Sequence, residues 1–560
     1  MNILGIANDE TASACLIKGG ELVAAASEER FTRIKMDSSW PQHSIDYCLK
    51  AGDISLEDVN IIAYGWSAGF DAERHLLTYF DRIAAEAQNK TGLDVFRERI
   101  SIEIERDAPK RDEFAKFARD NNFGDRVVYI DHHDSHAYSA YCCAPFDEAL
   151  VLTCDGRGDF TSLTASVFTR DSHSVLYRAP SIDSLGFFYG RITKLLGFVP
   201  HRHEGKITGL AARGNPNKLL PLMKKMIDVE DGRIVAHLGD YFRPFYSNFS
   251  DELQSIVAAN SKEDVAAAAQ LHLEQCVSAL VEYYTQKTRI RNVCLAGGVF
   301  ANVRVNQCIM EIDGVDNIFV QPQMGDGGLC VGAVAGFLHQ NGKPKINWRN
   351  MYLGPSYADE EISGALSAEP QIDFIKSEDV ISDALDAIAR SEVVGLFQGR
   401  MEFGPRALCN RSIIYHCRDV EVNDWLNKRM VRTEFMPFAP VLMSELAERC
   451  FVDWKQDHVA SRFMTVTYQC TDFMKQASPA VVHVDGTARP QVVFEEDNPF
   501  MHSLLGRYFE RTGEPALINT SFNRHEEPIV ASPVEAIDAL RTGMIDVLVI
   551  GNFVARRASE

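Results

Sequence analysis

The residues with the clearest chemical potential are Asp131-His132-His133-Asp134-Ser135-His136, which directly follow the apolar run Val127-Val128-Tyr129-Ile130. If a helix starts there, His132 and His136 stand at i and i+4 on one face. Two imidazoles so placed can bind one divalent ion. His133 points elsewhere. Asp155, at the end of a later apolar run, and Asp326, in Met324-Gly325-Asp326-Gly327-Gly328, could add carboxylate oxygens. Two histidines with two carboxylates suit iron, manganese or zinc. The plainer alternative is a helix start capped by Asp131 or Ser135, with histidines that only hydrogen-bond.

A second group lies in the C-terminal part. Gln398-Gly399-Arg400-Met401-Glu402-Phe403-Gly404-Pro405-Arg406-Ala407-Leu408-Cys409-Asn410-Arg411-Ser412 is followed by Asp485-Gly486-Thr487-Ala488-Arg489-Pro490-Gln491, then by Asn519-Thr520-Ser521-Phe522-Asn523. Arg400, Arg406, Arg411 and Arg489 stand among glycine turns and hydroxyls in a chain of formal net charge −21. Guanidinium groups grip phosphate through paired hydrogen bonds, and local clustering overcomes the global repulsion. Structural ion pairing is the competing role, and it fits one or two of these arginines better than all four, with Glu402 as an available partner.

These residues need elements to hold them. Two segments share a plan of apolar strand, acidic or amide strand end, tight turn and second strand. One covers Ile3-Leu4-Gly5-Ile6-Ala7-Asn8-Asp9, Ala14–Ile17, Gly19-Gly20 and Glu21–Ser27; the other covers Ala149–Gly156 and Ser162–Phe168. Asn292–Ala296 reads as a buried strand that meets the turn Gly297-Gly298-Val299, with a helix-compatible stretch from Ala301. This is the outline of the actin-like α/β architecture, in which two related halves close on a nucleotide and glycine turns let backbone donors approach phosphates. Apolar residues at helical spacing predict a long packing helix over Glu263–Thr288. Gly354-Pro355 marks a boundary near residues 351–356. Beyond it the pattern predicts a helix over Ser377–Ser391, a strand over Val393–Phe397 and one further α/β domain.

Composition narrows the function. The chain has 560 residues, 46% hydrophobic and 24% charged, which suits a globular protein of two domains. No apolar run is long enough to span a membrane, and the first residues lack the pattern of a signal peptide, so a cytoplasmic protein without membrane contact is expected. The 13 cysteines are scattered and include no Cys-x-x-Cys, which argues against a zinc ribbon or a disulfide framework. The acidic balance makes nucleic acid a poor partner.

The motifs together resemble the NodU/CmcH/TobZ carbamoyltransferases. In the first half these are His132-His133-x-x-His136, Asp155-Gly156-x-Gly158, Gly205-Lys206-x-x-Gly209-Leu210-Ala211-Ala212, Gly297-Gly298-Val299-x-x-Asn302, Glu28-Glu29-Arg30-Phe31-x-Arg33-x-Lys35 and Ser184-Leu185-Gly186-x-x-Tyr189. In the second half they are the arginine and asparagine blocks above. The resemblance implies a TsaD-like domain over residues 1–350 and a YrdC-like domain over 351–560. It implies a metal on His132, His136, Asp155 and Asp326, with iron(II) ahead of manganese or zinc. It places a nucleotide at Gly205, Gly297, Gly298, Val299 and Asn302. Carbamoyl phosphate and ATP with Mg²⁺ would be held by Arg406, Arg411, Lys428, Arg432, Arg489, Asn519 and Ser521. His132, Asp9, Lys206 and Arg489 become the catalytic candidates, and the product is a carbamate made on a hydroxyl or amine of a small natural-product acceptor, by a monomer or homodimer. Threonylcarbamoyl transfer to tRNA and an ATP-binding chaperone-like module are the alternatives; acidity speaks against the first, and the arginines and histidine pair against the second.

Two departures from the family pattern stand out. Asn8 replaces a family histidine near the acceptor, which leaves the activating base open. Met436 replaces an arginine in Lys428-Arg429-Met430-Val431-Arg432-Thr433-Glu434-Phe435-Met436-Pro437-Phe438-Ala439-Pro440. Cys409, where glycine is usual, reads as packing.

Overall fold

A computed structural model describes residues 1–67, 90–243, 249–348, 350–431 and 438–558. The chain divides into two compact units. The first holds Met1–Leu22, Ser38–Pro41 and Gly52–Asn347; the second holds Val23–Asp37, Gln42–Ala51 and Trp348–Glu560.

Runs of buried aliphatic residues make the strands of the first unit. β1 (Asn2–Ala7), β2 (Ser13–Lys18), β3 (Glu21–Ser27), β4 (Ile61–Tyr64) and β5 (Val127–Tyr129) form a sheet in the order β3-β2-β1-β4-β5. The end of β3, from Val23, counts with the second unit. Next come β6 (Ala149–Gly158), β7 (Thr161–Phe168), β8 (His173–Pro180), a short hairpin of β9 (Ile227–Glu230) with β10 (Arg233–Ala236), then β11 (Asn292–Ala296) and β12 (Asn317–Val320). The second sheet runs β12-β11-β6-β7-β8. In each sheet the central strand pairs antiparallel with its hairpin partner (β1 with β2, β6 with β7) and parallel with a later strand (β1 with β4, β6 with β11). The same order and polarity occur twice, which is the duplication expected from the two strand–turn–strand segments.

The helices follow from sequence in a similar way. Ser261 caps the helix Lys262–Thr288 by accepting from the Asp264 N–H, and the chain leaves through Arg289 at φ 63°. Asn302 caps Val303–Met310 by accepting from Val305 N–H. The helix Leu329–Gln340 lies against β1 and against the helix His132–Cys143. Glycine permits both approaches. A Cβ on Gly5 would stand 2.1 Å from the Cys330 carbonyl oxygen, and one on Gly332 would stand 1.9 Å from that of Ser135.

The second unit is built on eight strands. They are β13 (Ile372–Lys376), β14 (Val394–Phe397), β15 (Arg411–His416), β16 (Ala439–Met443), β19 (Gln491–Val493), β20 (Leu517–Ser521), β21 (Val547–Ile550) and β22 (Phe553–Arg557), in the order β13-β22-β21-β14-β15-β20-β16-β19. β17 (Tyr468–Gln469) and β18 (Thr487–Ala488) form a separate pair. The helix expected over Ser377–Ser391 is shorter, Val380–Ala389, because Asp379 accepts from Ser382 N–H and starts it late. Both units mix helices with sheets, so the protein is α/β with two units. All 13 cysteines are free thiols, and only Cys308 is less than fully buried.

Candidate active site

The helix His132–Cys143 begins where β5 ends. Asp131 caps it by accepting from Asp134 N–H, as its sequence position suggests. Its first turn is held further from outside. Asp159 accepts from the His132 N–H at 2.8 Å and from Ser67 N–H at 2.8 Å, and Arg178 bridges Asp131 and Asp134 at 2.9 and 2.8 Å. At the other end, Lys345 donates to the carbonyls of Tyr141, Ala144 and Phe146. A cation there complements the helix dipole. The helix is thus fixed at both ends, and its two i, i+4 histidines inherit that rigidity.

His132, His136, Asp155 and Asp326 converge, with one ligand atom from each lying within 4.8 Å of the others. His132 Nε2 is 2.8 Å from Asp155 Oδ2 and 3.9 Å from Asp326 Oδ1. His136 Nε2 is 3.5 Å from both of those oxygens, and neither of its ring nitrogens has a hydrogen-bond partner although the residue is fully buried. Such an imidazole is costly to leave so. A divalent ion would resolve it: two neutral imidazoles and two carboxylates balance a dication, and this donor set fits iron, manganese or zinc. His133 is not part of that set: its Nδ1 is 2.7 Å from Thr153 Oγ1, and its Nε2 is 3.0 Å from the Thr161 carbonyl and 3.2 Å from the other Asp155 oxygen, Oδ1.

The electrostatics follow from this crowding. Burial favours neutral His132, but the Asp155 hydrogen bond and the charges of Asp155, Asp326 and Asp159 outweigh it and hold the imidazole up at about 10. Burial favours protonated Asp155, yet His133, His132 and His136 keep it well below the usual carboxylate range. Asp159, buried and close to Asp131, is pushed up to about 7.

Two local devices aim the ligands. β6 shifts register between Cys154 and Gly158, which bends the strand at Asp155. Gly158 then passes so close to His132 that a Cβ would stand 2.0 Å from the ring. Trp66 packs edge-on against the same ring, with centroids 4.3 Å apart.

Asp9 follows β1, is 7% exposed, and pairs with Lys110. Burial pushes its carboxyl up, against the pull of Lys110. Asn8, where the family histidine is missing, accepts from Tyr64 Oη at 2.5 Å and donates to the Lys110 carbonyl at 3.0 Å. Nearby, Arg157 makes a paired contact with Asp107 at 2.6 and 2.8 Å. Sequence reading missed Lys110, Asp107, Asp159 and Arg178. Nothing in their spacing connects them to the histidines, because these contacts span 27 or more sequence positions.

The expected nucleotide residues sit on two elements. Gly297 has φ 104°, and a Cβ there would stand 2.3 Å from the Cys154 carbonyl, so glycine is required. Gly298 is exposed and Val299 half-buried. Asn302 exchanges hydrogen bonds with Gln270, which also accepts from Tyr189 Oη at 2.6 Å. Gly205 and Lys206 lie in the helix Glu204–Ala211, with Lys206 Nζ 6.0 Å from the Phe198 ring centroid.

In the second unit, Arg406 and Arg489 are half-buried and close enough to repel. Burial first, and then the Arg406 charge, pull Arg489 well below the usual arginine range. Among the described residues no carboxylate pairs with Arg489. Asn519 is buried, donates to Gln491 Oε1 at 2.7 Å, and has no partner for its Oδ1. Ser521 ends β20. Lys428 is exposed in the last turn of Val422–Arg429, while Arg429 is bound to Asp546. Arg432 and Met436 lie outside the described residues.

Arg411 is placed differently from a phosphate contact. It is completely buried, stacks 3.6 Å above the Phe397 ring, and donates to the carbonyls of Gln398, Gly399, Asn410 and Pro355. Among the described residues Glu402 pairs with no arginine; its Oε1 accepts from the N–H groups of Leu408, Asn410 and Arg411. Arg400 is likewise bound to the carbonyls of Leu353, Gly354 and Val23. Cys409 does more than pack. It adopts φ 83°, a backbone suited to glycine, and its thiol lies 3.1 Å from Gln491 Oε1.

Comparison with known proteins places this arrangement. Residues 2–335 match the family model described as carbamoyltransferase N-terminus, and residues 385–557 match carbamoyltransferase C-terminus. The chain is 31% identical to nodulation protein NolNO of Sinorhizobium fredii over 97% of its own length and 78% of that protein's. It is 30% identical to an uncharacterised protein of Methanocaldococcus jannaschii over 99% of both chains. Among solved structures, component A of the (R)-2-hydroxyglutaryl-CoA dehydratase of Acidaminococcus fermentans aligns with 61% of this chain and 99% of its own, at a TM-score of 0.33 and 14% identity. With both family models matched in order along one sequence, the chain belongs to the carbamoyltransferase family.

Proposed function

We propose that this protein carbamoylates a hydroxyl, or an amine, of a small natural-product acceptor, and that it does so in two steps. In the first, carbamoyl phosphate, ATP and water give carbamoyl-adenylate, phosphate and pyrophosphate. In the second, the acceptor oxygen attacks the carbamoyl carbon, its bond to AMP breaks, and the acceptor proton leaves. The second unit performs the first step and the first unit the second.

The observation that carries this reading is His136, buried with two unsatisfied ring nitrogens opposite Asp155 and Asp326, in the part of the chain that matches the N-terminal family model. His132, His136, Asp155 and Asp326 would hold a divalent ion, with iron(II) the first choice and manganese or zinc the others. When bound, it supplies Lewis acidity at the carbamoyl oxygen and stabilises the developing negative charge.

The chain's own residues do the rest. Asp9 takes the proton of the acceptor hydroxyl; Asn8 cannot, since an amide has no basic lone pair at neutral pH and its atoms are engaged by Tyr64 and Lys110. Lys110 orients the Asp9 carboxylate. The Gly297–Val299 turn gives the adenine nucleotide close access to backbone, and Asn302 and Gln270 brace it. Lys206 contributes positive charge on the phosphate side. Arg406 and Arg489 form the anion site for carbamoyl phosphate and ATP: two guanidinium groups held near each other at a cost in charge repulsion are relieved by a phosphate. Asn519 and Ser521 hydrogen-bond the substrate, and Lys428 and Arg432 add positive charge.

The test is direct. The full chain is mixed with ATP, Mg²⁺, carbamoyl phosphate and Fe²⁺, and pyrophosphate and adenylate are followed by mass spectrometry. Arg489→Ala abolishes pyrophosphate release. His132→Ala retains most of it and blocks AMP release to acceptor. No pyrophosphate from the unmodified protein, or equal loss of both steps in His132→Ala, overturns the reading.

A further inference from the structure

The helix Lys262–Thr288 carries a His/Cys pair at i, i+4, His272 and Cys276, on a face turned toward β9. His272 is 1% exposed and Cys276 2%. Asp228, on β9, is half-buried and completes a cluster in which one ligand atom from each residue lies within 4.8 Å of the others. We propose that Asp228, His272 and Cys276 form a second metal site, separate from the His132 centre, that takes a zinc-type dication.

Three features of the geometry support this. First, His272 Nε2 lies 2.6 Å from the Ile227 carbonyl oxygen and donates to it. That bond fixes the tautomer and leaves the lone pair on Nδ1, the outer-sphere arrangement typical of a metal-bound imidazole. Second, Cys276 Sγ lies 4.0 Å from that Nδ1 and 3.6 Å from Nε2. Two ligands of one tetrahedral zinc stand about 3.6 Å apart, from bond lengths of about 2.3 and 2.1 Å, so the 4.0 Å from Sγ to the free Nδ1 closes by a few tenths of an ångström when an ion binds. Third, Asp228 reaches solvent, so an ion has a route in and water can take the fourth position. The donor set of one sulfur, one nitrogen and one oxygen selects a borderline-soft ion such as Zn²⁺ over magnesium or calcium. The His132 centre contains no sulfur, so its donor set is harder than this one.

Binding forms M–S, M–N and M–O bonds and releases one proton, from the Cys276 thiol to solvent; no electron moves. Thiolate and Asp228 carboxylate together balance the dication. The bound ion ties β9 to the helix two residues beyond Gln270, the side chain that links Tyr189 to Asn302. Its role is structural, to hold that helix in register.

The experiment titrates Co²⁺ into the metal-stripped full chain and into the His132→Ala/His136→Ala double variant. Both are expected to develop near-ultraviolet thiolate-to-cobalt absorption that Zn²⁺ bleaches, and elemental analysis of the zinc-loaded double variant is expected to find one zinc per chain. Cys276→Ser, close to isosteric, loses the absorption with an unchanged circular dichroism spectrum. Absence of the absorption in the unmodified chain overturns the proposal without reliance on any variant, and so does absorption that survives Cys276→Ser or moves to another of the free thiols.

Discussion

His136 and Gly158 show how much one residue can decide. Neither ring nitrogen of His136 is hydrogen-bonded, and its Nε2 faces the Asp155 and Asp326 carboxylates at 3.5 Å, an arrangement that a bound cation would complete. Gly158 has no side chain, and that is its contribution: the His132 ring occupies the space a Cβ would fill. Gly158→Ala therefore displaces His132 while leaving the strands paired. We expect metal affinity to fall at least about tenfold, measured by calorimetric titration, with an unchanged far-ultraviolet circular dichroism spectrum; unaltered affinity would contradict the packing described. The histidine pair was legible in sequence because i, i+4 spacing is a local rule. Gly158 was visible as part of Asp155-Gly156-x-Gly158, but not the reason for it, which depends on the β6 register shift and on a ring 26 positions earlier in the chain. Arg411 misled for a related reason. A guanidinium among glycines looks the same in sequence whether its partners are phosphate oxygens or four backbone carbonyls.

Among the elements, the helix His132–Cys143 bears the most. Asp131, Asp159 and Arg178 hold its start, Lys345 its end, and Gly332 lets a second helix lie against it. Strand and helix positions, and the Asp131 cap, were largely readable from apolar runs and local spacing; the clamps from Asp159, Arg178 and Lys345 were not, since each joins residues far apart in sequence. β8 supplies a pH-sensitive edge to the same region. His173 stacks on Phe168 with centroids 4.2 Å apart, and its Nε2 has no partner. Burial, then the charges of His339 and Arg178, lower it to about 4. Folded His173 thus stays neutral where the unfolded chain, with an imidazole near 6.5, already binds a proton. Stability is lost as pH falls below about 6.5, and the loss stops growing near 4. At pH 5 it amounts to about 1–2 kcal/mol, with partial exposure discounted. Urea midpoints at pH 5 and 7.5 check this: His173→Phe narrows the difference between them, and an unchanged difference would refute it.

On the scale of the whole chain, the formal charge of −21 sets the partners. A phosphate backbone is repelled, and the anion site proposed at Arg406 and Arg489 depends on local concentration of positive charge. Adding tRNA at low salt should therefore leave AMP release to a small hydroxyl acceptor unchanged; inhibition that salt relieves would restore the tRNA alternative. The α/β class and the duplicated sheet plan could be read from the sequence, because each half repeats the same strand and turn pattern. Two early pieces of the second unit could not. Val23–Asp37 and Gln42–Ala51 lie early in the sequence but belong to the second unit, where Glu28 accepts from Ser44 and Arg33 donates to the carbonyls of Pro528 and Ile529.

That interleaving bears on inheritance. A lineage that split the gene near codon 347 would leave the downstream product without two pieces of its own body, encoded hundreds of bases upstream. Fission would have to carry those segments across or invent substitutes. Selection therefore favours passing the two units on as one reading frame, and recombination between relatives is safest when it exchanges the first fifty codons together with the last two hundred.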